Sequence, residues 1–247
     1  MKLTERVYMV GSGGAGFSLT DPSDCHIYLV DGKSELALID AGTGAGQAEI
    51  MDIIRSHGFD PTAIRHLFLT HLHADHAGGA AGLYKEIPNL SVLAAREVAD
   101  DLRTGDEEAI GLTMGKKGGY YDPDYRFEPC PVDVELVEGQ VVQVGDLQIK
   151  ALDTPGHCAG HMTFIMVDTD QTYMFSGDNL FFGGKILLQP IPDCDVQVHL
   201  DSIDKLVGLG VDVFLPGHGC ISLKDGQRHI DAAAAWRERC LIPPSFI

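Results

Sequence analysis

The segment Thr70-His71-Leu72-His73-Ala74-Asp75-His76 concentrates three imidazoles and a carboxylate in six positions. Neutral imidazole is a common zinc ligand and carboxylate complements it. His71 and His73 are two apart, so in extended backbone they point to the same side. Asp75 and His76 lie beyond the strand read over His66–Leu69. A turn there can aim them at a neighbouring point, so one segment can serve two adjacent ions.

Four-coordinate sites need further ligands, and three places offer them: Thr154-Pro155-Gly156-His157, Ser176-Gly177-Asp178 and Pro216-Gly217-His218-Gly219. Glycine beside each candidate lets the backbone turn sharply near an ion. Only five of the eleven histidines fall in these segments. His161 is read as a local hydrogen-bonding residue at a strand start. His26, His57, His66, His199 and His229 are read as structural or surface residues. Cys158 and Cys220 flank ligand segments and are read as small buried thiols. The run Gly11-Ser12-Gly13-Gly14-Ala15-Gly16 lacks the lysine and helix of a phosphate loop, and is read as a flexible turn near the site rim.

Short apolar runs bounded by turn residues predict the elements that hold these groups. Strands are expected at Val7–Val10, His26–Val30, Leu36–Ile39, His66–Leu69, Ser91–Ala94, Val132–Leu136, Leu147–Leu152, Met162–Val167, Thr172–Phe175 and Val211–Leu215. Helices are expected at Gly46–Ser56, Gly79–Glu86, Ala95–Arg103, Gln197–Leu209 and Asp225–Arg239, the fourth with Val198, Ile203, Leu206 and Val207 on one face. The order strand, turn, strand, Asp, helix, strand, His occurs twice, ending at Asp40 and His71 and again at Asp178 and His218. Residues 104–129 break this rhythm and are read as a surface loop insertion or lid, in which Tyr120 and Tyr121 are candidates to line a pocket.

The ordered set His71, His73, Asp75, His76, His157, Asp178 and His218, with Asp40 in Leu38-Ile39-Asp40-Ala41-Gly42, resembles the metallo-β-lactamase superfamily over about residues 5–220. The resemblance implies an α/β fold, a four-layer αββα sandwich with the site at one edge. It implies that His71, His73 and His157 hold one metal ion, that Asp75, His76 and His218 hold a second, and that Asp178 bridges them. Asp40 would orient a ligand histidine, and Asp75 is the candidate catalytic proton carrier. Two Zn2+ are expected, with Mn or Fe as alternatives. Ions about 3.5–4 Å apart can share a metal-bridging hydroxide that attacks a carbonyl.

The loop Gly177-Asp178-Asn179-Leu180-Phe181-Phe182-Gly183-Gly184-Lys185 is similar to that of glyoxalase II-like thioesterases, although their following Cys-Gly-Arg segment is absent. Acyl-homoserine lactonases carry a tyrosine where Phe181 stands. The expected function is hydrolysis of a carboxylic ester, thioester or lactone, with Lys185 a candidate for a substrate carboxylate. The alternatives are a phosphodiesterase and a mononuclear iron persulfide dioxygenase using His71, His157 and Asp178.

The whole-chain numbers fit this picture. The 247 residues suffice for one metallo-hydrolase domain spanning 1–247. Net charge is −18, from 18 basic and 36 acidic residues. So acidic a chain repels nucleic acid and anionic lipid, so a small-molecule substrate is expected and neither nucleic acid nor membrane is expected as a partner. Met1–Val10 holds no apolar run of signal-peptide length, and the six cysteines form no CxxC pair, which places the protein in the cytoplasm with reduced, mostly buried thiols. A homodimer is the assembly that symmetry favours.

Overall fold

A computed structural model describes residues 1–169 and 171–247. They form two compact units, Met1–Leu136 with Val144–Asp146, and Val137–Gln143 with Leu147–Ile247.

Apolar runs form the strands of the first unit: β1 (Val7–Gly11), β2 (Ile27–Asp31), β3 (Leu36–Ile39), β4 (Ile64–Phe68), β5 (Ser91–Ala95) and β6 (Val134–Leu136). They lie side by side in chain order. The β1–β2 and β2–β3 pairs are antiparallel, and β3–β4, β4–β5 and β5–β6 are parallel. Every residue of β1 and β3 is buried, which is why these strands read as unbroken apolar runs rather than alternating ones. Helix α1 (Gln47–Ser56) buries Ile50, Met51 and Ile54, a stripe at helical spacing. Single-turn α2 (Ala74–Ala77), then α3 (Ala80–Glu86), α4 (Ala99–Thr104) and α5 (Leu112–Lys117) follow.

The second sheet contains β7 (Val141–Val144), β8 (Leu147–Asp153), β9 (Met162–Asp168), β10 (Gln171–Gly177) and β11 (Val213–Pro216), ordered β11-β10-β9-β8-β7. Helices α6 (Val196–Leu206) and α7 (Gln227–Glu238) complete the second unit. Its core gathers Leu152, Met174, Leu180 and Phe214 with Ile203 and Leu206 of α6 and Ile230 and Ala233 of α7.

The internal repeat is real in topology. In one unit β2 and β3 form an antiparallel pair and β4 runs parallel to β3; in the other, β9 and β10 do the same and β11 runs parallel to β10. In both, an aspartate follows the middle strand and a histidine follows the third.

Three expectations need correction. The buried face of α6 is His199, Ser202, Ile203 and Leu206, whereas Val198 is 38% and Val207 48% exposed. Burial of His199 is made tolerable by its Nε2, which donates to the Asn179 carbonyl at 2.6 Å. The 104–129 segment is not all loop, because α5 lies within it. The strand β7 escaped notice because its pattern is half exposed and short.

His229 of α7 is buried, with ring centroids 4.3 Å from Phe182 and 5.0 Å from Phe214, and its Nδ1 accepts the Gly183 N–H at 3.0 Å. Burial, with Arg228 beside it, pushes its pKa down to about 4. The folded state therefore binds this proton less readily than the unfolded chain, whose histidine titrates near pH ~6.5. The stability His229 contributes is present above that pH and is lost as pH falls toward 4. Urea midpoints of wild type should accordingly fall more steeply between pH 7 and 4.5 than those of His229→Gln. At fixed pH, Ile203→Ala should cost about 2–5 kcal/mol by urea unfolding. Val198→Ala on the same helix should change stability by less than about 0.5 kcal/mol.

Candidate functional site

In the first unit the chemistry sits where β3 and β4 end. Parallel pairing places Ile39 beside Phe68, and the Asp40 N–H donates to the Phe68 carbonyl at 2.8 Å. Asp40 has φ +63°, a left-handed conformation that aspartate adopts more readily than most residues. Its carboxylate is buried and saturated. Oδ1 accepts the Thr70 N–H at 2.8 Å, and Oδ2 accepts the Thr70 hydroxyl and His76 Nδ1, both at 2.8 Å. His76 is thereby fixed in the tautomer that presents the Nε2 lone pair, and its Nε2 lies 3.6 Å from Asp75 Oδ2. Thr70 spends its proton on Asp40, so His71 Nδ1 donates to Thr70 Oγ1 at 3.0 Å and His71 also presents Nε2. That nitrogen is 3.0 Å from His73 Nδ1. Two nitrogens on one tetrahedral ion, each about 2.0–2.1 Å from it, would sit ~3.3 Å apart, so the spacing fits shared coordination. The Tyr121 hydroxyl donates to Asp75 Oδ1 at 2.6 Å. Burial, then the Asp75 charge, pushes the phenol well above its usual pKa, so it remains a donor.

In the second unit the corresponding strand ends carry Asp178 and His218, and His157 lies in the loop between β8 and β9. Asp178 Oδ2 lies 3.8 Å from His157 Nε2 and 3.6 Å from His218 Nε2. His157 Nδ1 donates to the Leu187 carbonyl at 3.1 Å, again leaving Nε2 as the presented nitrogen. The Asp178 N–H donates to His161 Nε2 at 3.1 Å, so His161 Nδ1 carries the proton and donates to Thr154 Oγ1 at 3.0 Å. The backbone turn at His157 needs Gly156, at φ +125°, because a Cβ there would fall 2.2 Å from the His199 nitrogen. Segment 244–246 braces both ligand loops. Phe246 stacks on Phe181 at 4.2 Å, lies against Gly219, and its N–H donates to Ile186 O at 2.8 Å.

The sequence-predicted residues thus fall into two groups, one in each unit: His71, His73, Asp75 and His76 with Asp40, and His157, Asp178 and His218. Within each group the donors are imidazole nitrogen and carboxylate oxygen, a set suited to zinc and its neighbours. Lys185 is exposed, on the turn that its carbonyl closes by accepting the Phe181 N–H.

Four contributors were missed or undervalued. Thr70 was inside the motif but was not given a role. His161 carries one signal, its position four residues after His157. Tyr121 was a candidate only to line a pocket, and Cys25 carries no signal. One donor atom of Cys25 lies within 4.8 Å of those of Asp40 and His76. Its S–H donates to His26 O at 3.4 Å, and burial pushes its pKa up, so it stays a thiol. Cys158 is buried as expected, but Cys220, which follows the left-handed Gly219 (φ +79°), is exposed. Nor is the 11–16 run loose: Gly13 and Gly14 N–H groups donate to Asp24 and Pro22 carbonyls at 3.0 and 2.8 Å.

The sequence profile of the metallo-beta-lactamase superfamily matches residues 20–218. The chain belongs to that superfamily. Among its curated relatives, an atrochrysone carboxyl ACP thioesterase of Aspergillus fumigatus is 27% identical over 221 residues, covering 89% of this chain and 58% of that protein. Thioesterase pkgB of Emericella nidulans is 27% identical over 194 residues, 78% of this chain and 45% of its own length. The chain therefore spans about half the length of these relatives. Among solved structures, a Cronobacter sakazakii metallo-beta-lactamase with a HARLDQ motif gives a TM-score of 0.74 at 23% identity, covering 97% of this chain and 96% of that one. Native FEZ-1 metallo-beta-lactamase from Legionella gormanii gives 0.73 at 20% identity, covering 96% and 94%. The fold is that of the metallo-beta-lactamases, as the motif implied. Among the described residues no helix is long and apolar enough to cross a membrane.

In this superfamily member Asp40 holds a buried amide, hydroxyl and imidazole at once. Asp40→Ala should leave those donors unpaired and destabilise the protein by about 2–4 kcal/mol in urea unfolding. Asp40→Asn tolerates the same left-handed turn and should cost about half as much.

Proposed function

We propose that this chain is a dinuclear metallohydrolase that cleaves ester-type bonds, with thioesters the preferred class. The observation that carries the reading is Asp178 Oδ2, flanked by the Nε2 atoms of His157 and His218 at 3.8 and 3.6 Å. One carboxylate oxygen near both imidazoles suits a ligand shared by two cations. His71, His73 and His157 would hold the first ion, Asp75, His76 and His218 the second, and Asp178 both. One family profile runs across both compact units, which supports treating 1–247 as a single catalytic domain. Two bound divalent ions, zinc by donor chemistry with manganese or iron as alternatives, would supply activated water at neutral pH and polarise the scissile carbonyl.

The chain's own groups supply the rest. Asp40 and Thr70 keep His76 and His71 in the tautomers that present Nε2. His161 accepts the Asp178 amide and holds the turn on which that carboxylate sits. Asp75, whose side chain is 17% exposed, is in contact with solvent and is assigned the transfer of a proton to the departing thiol or alcohol. Lys185 is assigned to a substrate carboxylate, since its ammonium is exposed beside the Asp178 loop. The preference for thioesters within the ester class rests on the thioesterase names of two relatives. The net charge of −18 supports a small-molecule acyl substrate over a polyanion.

The test is a panel of acyl thioesters, activated esters, lactones and phosphodiesters, assayed with zinc-loaded wild type and Asp178→Ala. Thioesters should turn over fastest, and the variant should lose more than about 100-fold in turnover together with bound metal. Turnover of phosphodiesters alone, or an Asp178→Ala protein with wild-type metal content and rate, would overturn the proposal.

A further inference from the structure

The insertion at 104–129 reaches the ligand cluster through Tyr121. Tyr121 donates its hydroxyl to Asp75 Oδ1 at 2.6 Å across 46 positions of sequence. The other oxygen, Oδ2, is the one that lies 3.6 Å from His76 Nε2. We propose that Tyr121 is a positioning residue for the second ion: its phenol pins the Asp75 carboxylate so that Oδ2 is held beside His76. This rests on the assignment of Asp75 and His76 to one ion made above.

The surrounding sequence is built to hold that phenol in place. Gly115 stands inside the short helix α5, where glycine costs about 1 kcal/mol relative to alanine. A Cβ there would sit 2.7 Å from Tyr121 Cδ2, so the glycine makes room for the ring. Tyr125 stacks with Tyr121 at 6.1 Å between centroids, 27° apart in plane, and donates its hydroxyl to the Thr43 carbonyl at 2.8 Å. A Cβ on Gly78 would fall 2.1 Å from the Tyr125 hydroxyl. The segment is further braced by the Lys116–Glu107 ion pair at 2.5 Å, with side chains only 13% and 28% exposed. Glu107 also accepts the Phe127 N–H at 3.2 Å. Tyr120, by contrast, is 68% exposed.

A carboxylate with one oxygen held has little torsional freedom left to lose when it captures a cation. Partners that orient a ligand in this way are worth about 10–100-fold in metal affinity. Freeing Asp75 should therefore weaken one ion and leave the other unchanged.

The experiment is a zinc titration of metal-free protein in competition with a chromophoric chelator, on wild type, Tyr121→Phe, Tyr120→Phe and Asp75→Ala, with thermal unfolding of each metal-free protein. Tyr121→Phe should bind the first equivalent as wild type does and the second about 10-fold or more weakly, with a metal-free melting temperature lower by about 2–6 °C, the loss expected for one charge-assisted hydrogen bond. Its kcat should fall while KM stays within about twofold, a split that general loosening of the fold would not produce. Tyr120→Phe should match wild type. If Tyr121→Phe binds both equivalents normally while Asp75→Ala loses the second, the role given to Tyr121 is wrong and the ligand set stands. If Asp75→Ala also binds both normally, both are wrong.

Discussion

A buried imidazole must account for two ring nitrogens, and a protein that presents one lone pair to a cation has to spend the other nitrogen on a fixed acceptor. That constraint organises both clusters. His76 spends Nδ1 on Asp40, His71 spends it on Thr70, and His157 spends it on the Leu187 carbonyl. Without such acceptors each ring would be free to turn or to take the wrong tautomer, and a polar atom would be buried at a cost of about 1–3 kcal/mol. Asp40 bears the largest share. Its left-handed backbone at φ +63° is unfavourable by about 1–2 kcal/mol. The charge-assisted hydrogen bonds it accepts offset that strain.

Sheet register delivers the groups to their places. Pairing of β3 with β4 sets Asp40 beside Thr70, and the Asp40 amide extends the ladder by one bond to Phe68. Pairing of β10 with β11 sets Gly177 against Pro216, and the Gly217 amide donates to the Gly177 carbonyl at 2.8 Å. That bond brings the loops of Asp178 and His218 together. The same device occurs once in each unit, so strand pairing sets Asp40, Asp178 and His218, while α2 carries Asp75 and His76. A one-residue slip in either pairing would turn these side chains to the opposite face.

The parts legible in the sequence are those whose cause is local. Imidazoles and carboxylates at fixed spacing beside glycine are costly to place without a purpose, so His71 through His76, His157, Asp178 and His218 stand out. Apolar runs such as Leu36–Ile39 mark fully buried strands, and the repeated strand-turn-strand-Asp order anticipated the shared topology. What stayed hidden depends on distant contacts. Tyr121 could be read as a pocket residue, but its contact with Asp75, 46 positions away, could not, and α5 contains a glycine that argues against a helix. The inward face of α6 was misjudged because His199 and Ser202 are polar, and only the Asn179 and Pro155 carbonyls that receive their hydrogens make them interior residues.

The central proposal is that the two groups of donors serve one pair of ions, with Asp178 a ligand of each. Anomalous diffraction at the zinc edge from crystals of the zinc-loaded protein tests it most directly. The proposed ligand set predicts two peaks per chain, one among His71, His73 and His157 and one among Asp75, His76 and His218, with Asp178 touching both. A single peak, or two peaks of which either lacks Asp178, would contradict it.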